Sequence, residues 1–236
     1  MQPIEAFPNV ENVANLQFNS DGSLRHLLTL KGLDKGMLIE LLDDAQRFVT
    51  QPGEAAARSQ SLAGRTVANL FFEPSTRTRA SFDLAGKRLG ADVLNLDVNQ
   101  SSRKKGESIL DTVYTLQAMH VDVMVVRDAS AGVPAYIARH VNDHVSILNA
   151  GEAEASHPTQ GLLDLLTIRQ HKPKFEDLTV AIVGEIMHSR VDRSAADGLN
   201  TLGVGELRLI SPAALAPNAE EMPYARLLDN LDEGIK

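Results

Sequence analysis

In the stretch TVANLFFEPSTRTRASF, residues 66–82, an apolar run rich in strand-forming residues stops at Glu73 and Pro74, and a helix-like segment begins at once. Pro74 helps to end the strand, Ser75 or Thr76 can cap the helix, and Phe82, Ala85 and Leu89 give that helix an apolar face. The runs DVLNLDV (92–98), VDVMVVRD (121–128) and VSILNA (145–150) repeat the pattern, with helix-like stretches at 76–89, 107–119 and 132–141. Short apolar strands alternating with helices predict parallel βαβ units whose sheet is covered on both faces. One feature of the opening stretch resists this plain reading. Arg77 and Arg79 lie at a helix start, where the backbone already carries partial positive charge, so each cation costs roughly 0.3–1 kcal/mol unless an anion sits nearby.

Upstream, SLRHLLTLKGL reads as an ordered lead-in and DKGMLIELLDDAQRFV as a helix capped by Asp34. Downstream, PTQGLLDLLTIRQHK (158–172) predicts a long helix, and PKFEDLTVAIVGE with ELRLIS (206–211) starts a second strand series. The expected organisation is a first domain over 1–155, a bridging helix at about 158–172, and a second domain over 173–236. That second domain shows two clear strands before Lys236, against the roughly four to six of an ordinary sheet. The fold class read from this pattern is α/β: two doubly wound parallel-sheet domains, the second incomplete at its C-terminal end.

Composition narrows the function classes. The chain has 236 residues, 43% hydrophobic and 23% charged, which suits globular domains of roughly 100–150 residues each. There is no cysteine, so disulfides and thiolate metal sites are excluded. A formal charge of −8, no tryptophan and only 4% aromatics argue against nucleic-acid binding. The N-terminal MQPIEAFPNVENVANLQFNS has no basic start followed by an apolar core, and no apolar run approaches spanning length. The expectation is a soluble, unprocessed, cytoplasmic protein without membrane partners.

In open parallel sheets, ligands bind beyond the C-terminal ends of the strands. Glu73 to Arg79, Ser101 to Glu107 and His157 each follow an expected strand, and Arg127 ends one. Three hydroxyls, two guanidiniums and free backbone N–H groups at the start of one helix suit a phosphate better than two solvated arginines on an ordinary capped helix. SSRKKGES, with Arg103, Lys104 and Lys105, reads either as a solvated charged face or as a phosphate-binding loop. His157 and Gln160 precede a helix with Pro158 in its first turn, where His157 is either structural or catalytic. His140 and His144 have helical metal-pair spacing but lack an evident third ligand, and exposed helix-end histidines are the simpler reading. VAIVGEIMHSRVDRSAADGL has a single Gly184 where a dinucleotide fingerprint needs more glycines. Its Arg190 and Arg193 read equally as surface charge or as anion ligands.

Taken together, the Ser-Thr-Arg-Thr-Arg run at 75–79, Ser-Ser-x-x-Lys-Gly-Glu from Ser101 to Glu107, Arg127, and His-Pro-Thr-Gln at 157–160 resemble the aspartate/ornithine carbamoyltransferase family. The resemblance runs from about Ser23 onward, and Lys-Gly-Glu at 105–107 with HSRVDRS at 188–194 looks like the aspartate branch. It implies transfer of a carbamoyl group from carbamoyl phosphate to L-aspartate, a step of pyrimidine biosynthesis. The alternatives are the ornithine branch, or a non-catalytic phosphate-binding or subunit-interaction relative. By resemblance, Ser75, Thr76, Arg77 and Thr78 hold the phosphate, while Arg127, His157 and Thr78 polarise the carbonyl oxygen. Gln160 orients the carbamoyl nitrogen, and Arg190 grips an aspartate carboxylate. Ser101 and Lys105 reach from an adjacent subunit, Lys105 also toward aspartate, so a homotrimer with shared sites is implied, with room for further regulatory chains. No metal or organic cofactor is implied.

The family pattern continues into an Arg-x-Gln aspartate-binding element, a His-Pro-Gly-Pro segment and a helix returning to the first domain, none of which follows Lys236. The aspartate site is therefore expected to be only half furnished in these residues. GEAEAS at 151–156 lacks the Asp-Gly that often precedes the histidine, and Glu185 and Ala195 stand where Asp and Asn are common.

Overall fold

A computed structural model describes residues 13–96 and 108–236. The chain begins with a single turn, α1 (Val13–Leu16), and a longer helix, α2 (Lys35–Gln46), whose N-cap Asp34 accepts a hydrogen bond from Met37 N at 2.8 Å as the sequence predicts. It divides into two compact units. One joins the chain up to Leu28 with Phe48–Ala153; the other joins Thr29–Arg47 with Glu154–Lys236.

The first unit is built by β1 (Thr66–Phe71), α3 (Thr76–Arg88), β2 (Asp92–Leu96), α4 (Ile109–Ala118), β3 (Val123–Asp128), α5 (Val133–Ala138) and β4 (Ser146–Glu152). Its four strands are all parallel, in the order β2-β1-β3-β4. The period-two alternation of side chains sorts the core into two layers. Ala68, Leu70, Met124, Val126 and Ile147 pack with Val113 and Leu116 of α4 and Ile137 of α5. Val67, Phe71 and Val125 face the other way, with Phe82 of α3 against them. The start of α4 is fixed by a capping box: Asp111 N donates to Ser108 Oγ at 3.1 Å, and Ser108 N donates to the Asp111 carboxylate at 2.9 Å.

Residues 24–28 lie along β4, bridging Leu27 to Leu148 in parallel. His26 fastens this segment, because its buried Nδ1 accepts the Ile147 N–H at 3.0 Å. That bond requires an unprotonated Nδ1. Burial, helped by the Arg25 charge, lowers the His26 pKa to about 4, so the ring is neutral at physiological pH.

In the second unit, α6 (Pro158–His171) precedes β5 (Thr179–Val183), α7 (Arg190–Leu202), β6 (Glu206–Ile210), β7 (Arg226–Leu228) and the final turn α8 (Leu231–Gly234). The sheet is parallel in the order β5-β6-β7. It therefore has one strand more than the two that sequence reading gives. β7 is only three residues long and begins at the exposed Arg226, so it carries too little apolar pattern to be read alone. Both sheets are parallel and flanked by helices, as expected for the α/β class.

Helix α2 packs on α6 and α7, and Leu38, Leu42, Leu165, Leu199 and Leu202 are buried in this unit. Close approach of α6 to α7 depends on Gly161. A Cβ there would lie 2.9 Å from Leu30 Cδ1 and 3.1 Å from the backbone carbon of Ser194. Gly161→Val is expected to cost about 1–3 kcal/mol by overpacking, read as a lowered urea midpoint. An unchanged midpoint would contradict this packing.

Candidate active site

Phe71 and Arg127 are register partners, so β1 and β3 end side by side. Beyond β1, Ser75 is the N-cap of α3, with an extended backbone and no capping bond from its own hydroxyl. The first turn holds Thr76, Arg77, Thr78 and Arg79 and contains no acidic residue. Arg77 and Arg79 are exposed, and neither pairs with a carboxylate among the described residues. This helix start thus combines backbone N–H groups, hydroxyls and cationic side chains, a donor set suited to a small multivalent anion.

Arg127 is the buried member of the cluster, at 7% exposure. Its Nη1 donates to Ala150 O at 3.0 Å, and its Nη2 pairs with Glu73 Oε1 at 3.0 Å. The β3–β4 register shifts between Val126 and Asp128, which puts Arg127 in an irregularity of the ladder. Such irregularities re-aim a side chain at a strand end. Glu73 is thus the counter-charge of the buried Arg127 guanidinium.

In the second unit, His157 is the N-cap of α6 and is 7% exposed. Its backbone N donates to Ser194 Oγ at 2.8 Å, and Ser194 Oγ donates to Arg190 O at 2.9 Å. One hydroxyl therefore ties the start of α6 to the first residue of α7. The His157 ring approaches Thr159 Oγ1 through Nδ1 at 3.4 Å. Gln160 Nε2 donates to Asp164 Oδ1 at 3.0 Å, and burial raises the Asp164 pKa.

Several bonds tie the loop before α7 to its surroundings. Arg193 donates to Met187 O through Nη2 at 2.9 Å and pairs with Glu221 at 2.7 Å, while Met187 N donates to Leu215 O at 3.0 Å. His188 Nδ1 pairs with Glu185, whose carboxylate raises the imidazole pKa. Ser189 caps α7 by accepting from Asp192 N at 3.3 Å, leaving Arg190 at the first helical position.

Of the residues singled out in the sequence, Ser75, Thr76, Arg77, Thr78 and Arg127 gather at one sheet edge of the first unit. His157, Gln160 and Arg190 lie at the helix starts of the second. Ser101 and Lys105 lie outside the described residues. His140 Nδ1 is 2.8 Å from Tyr136 O, and no metal-binding cluster forms among the described residues. Sequence reading gave no role to Glu73 or Ser194. Both stand inside quoted motifs, but only tertiary structure shows what each one holds. Glu73→Gln should tighten inorganic phosphate binding roughly three- to ten-fold by freeing Arg127, measured calorimetrically at low ionic strength. Weaker binding would mean that Glu73 supports the site instead of competing for it.

Residues 25–170 match the family profile described as aspartate/ornithine carbamoyltransferase, carbamoyl-P binding domain. Among solved structures, the catalytic subunit of M. jannaschii aspartate transcarbamoylase is similar at 30% identity and TM-score 0.75, over 89% of this chain and 70% of that one. Aspartate transcarbamoylase from Trypanosoma cruzi in complex with carbamoyl phosphate is similar at 29% identity and TM-score 0.78, over 95% and 74%. Ornithine carbamoyltransferase from Thermus thermophilus is similar at 26% identity and TM-score 0.77, over 89% and 70%. The profile spans more than half of the chain, and the structural likeness extends through both units. The chain belongs to the aspartate/ornithine carbamoyltransferase family.

Proposed function

We propose that this chain transfers a carbamoyl group from carbamoyl phosphate to the amine of L-aspartate, giving N-carbamoyl-L-aspartate and phosphate. The observation that carries the reading is the start of α3, where Ser75, Thr76, Arg77 and Thr78 form an anion-binding donor set without an acidic residue in the turn. In this reading these four residues hold the phosphate, and Arg127, His157 and Thr78 donate toward the carbonyl oxygen as negative charge develops on it. Gln160 orients the carbamoyl nitrogen.

The aspartate amine attacks the carbamoyl carbon, the bond from that carbon to the phosphate oxygen breaks, and the amine proton leaves with the departing phosphate. Rate comes from positioning and from charge stabilisation. Arg190, presented at the first position of α7, takes a substrate carboxylate at a helix start that favours anions. Ser101 and Lys105 complete the site from a neighbouring copy in a homotrimer, and the reaction belongs to pyrimidine biosynthesis in the cytoplasm. Among the described residues no helix is long and apolar enough to cross a membrane.

The similarity to an ornithine enzyme supports a second reading, ornithine as acceptor. The two are separated by supplying carbamoyl phosphate with labelled aspartate or labelled ornithine and identifying the product. Carbamoyl-aspartate is expected, with Arg190→Ala raising the aspartate KM at least ten-fold, the loss of one charge-assisted carboxylate contact. Citrulline as the main product would overturn the aspartate reading. Carbamoyl phosphate binding with turnover of neither acceptor would favour a phosphate-binding relative.

A further inference from the structure

Beyond the residues already given roles, the first unit contains a buried carboxyl at the C-terminal end of β4. Glu152 is 6% exposed, and its register partner on β3 is Asp128, itself 2% exposed. Every bond it makes organises the turn behind Arg127. Glu152 Oε2 accepts the Gly132 N–H at 2.7 Å, and Oε1 accepts from Asn149 Nδ2 at 2.9 Å. Asn149 Nδ2 also donates to Leu28 O at 2.9 Å, while its Oδ1 accepts the Gly151 N–H at 2.8 Å. Ala150, whose carbonyl seats the Arg127 guanidinium, is enclosed by these contacts. Ala153 follows at φ 38°, a left-handed conformation that alanine rarely adopts, and its N–H donates to Asp128 O at 3.1 Å. Such a conformation persists where surrounding contacts over-determine it.

We propose that Glu152 is a positioning residue for Arg127: its carboxyl closes the turn that presents Ala150 O to the guanidinium. The inference rests on reading Arg127 as part of the carbamoyl phosphate site. Burial beside the register partner Asp128 disfavours a second ionised carboxylate here, which favours the neutral form of Glu152. The groups facing Glu152 are Asp128 from β3, the Gly132 amide at the start of α5, and Asn149 from β4. Arg127, one residue along β3 from Asp128, is turned to Ala150 O and Glu73.

Burial first, and the Asp128 charge after it, push the Glu152 pKa up to about 7, against the two hydrogen bonds that favour its ionised form. The sign follows from linkage. The folded chain holds this proton between about pH 4.5 and 7 while the unfolded chain does not, so the contribution of Glu152 to stability falls as pH rises through that window. Above it, a second negative charge stands behind Arg127, which weakens anion binding. His26, lowered to about 4, has lost its proton before Glu152 does and does not confuse the upper part of the window.

The test follows the Arg127 side-chain Nε–H resonance by NMR in the ligand-free 236-residue chain, assigned by its loss in Arg127→Lys. A titration centred near pH 7 in the unsubstituted chain, absent in Glu152→Gln, is expected. A flat resonance, or the same titration in Glu152→Gln, overturns the inference. In parallel, carbamoyl phosphate affinity should fall roughly five-fold more in the unsubstituted chain than in Glu152→Gln between about pH 6 and about pH 8. Equal falls would also overturn it, because the ligand's own protonation is common to both proteins. Glu152→Ala, losing both bonds, should bind more weakly than Glu152→Gln, and if it fails to fold Glu152→Gln carries the test. Should the unsubstituted chain bind no carbamoyl phosphate, the proposed function fails while the Arg127 titration still decides this inference.

Discussion

A guanidinium buried at the end of a parallel strand is tolerated only while its charge is met. At Arg127 the Glu73 carboxylate and the Ala150 carbonyl meet it. Glu73 comes from the turn after β1 and Ala150 from β4, so the cation depends on both flanking strands of β3 bringing their ends beside it. The same end of the sheet carries the start of α3, where Arg77 and Arg79 add positive charge without a matching carboxylate in the turn. In a chain of net charge −8 this is a local reversal of sign. Such a reversal costs stability, and a bound anion would offset that cost. The proposed function accounts for the arginines at this helix start by a phosphate-bearing ligand, where the fold alone gives no reason for them.

The second unit presents its polar residues by a different device. Gly161 lets α6 approach α7 until the Ser194 hydroxyl bridges His157 N and Arg190 O. A residue suited to a carbonyl oxygen and one suited to a carboxylate are fixed relative to each other by packing and one hydroxyl.

Much of the fold was legible because buried parallel strands are continuous apolar runs. The four strands of the first unit and two of the second stand out as clusters of Val, Leu and Ile bounded by polar turns. Strand β7 was not legible, since Arg226–Leu228 holds too few residues to show a period. Nor could the sequence assign α2 to its packing partners. Its helix and its Asp34 cap were readable, but its packing against α6 and α7 joins segments more than 100 residues apart. At the site, the Ser75–Arg79 cluster was readable because several phosphate-binding residue types crowd one helix start. Glu73, Ser194 and Glu152 were not, because each acts through a partner distant in sequence: Arg127, His157 and Gly132 respectively.

The central claim is that the charge at the start of α3 exists to hold a phosphate group. Calorimetric titration of the 236-residue chain with carbamoyl phosphate, alongside Arg77→Ala, tests it most directly. Saturable binding that Arg77→Ala reduces at least ten-fold, as expected for loss of a charge-assisted contact, is the predicted result. Equal affinity in both proteins, or no binding by either, would contradict it.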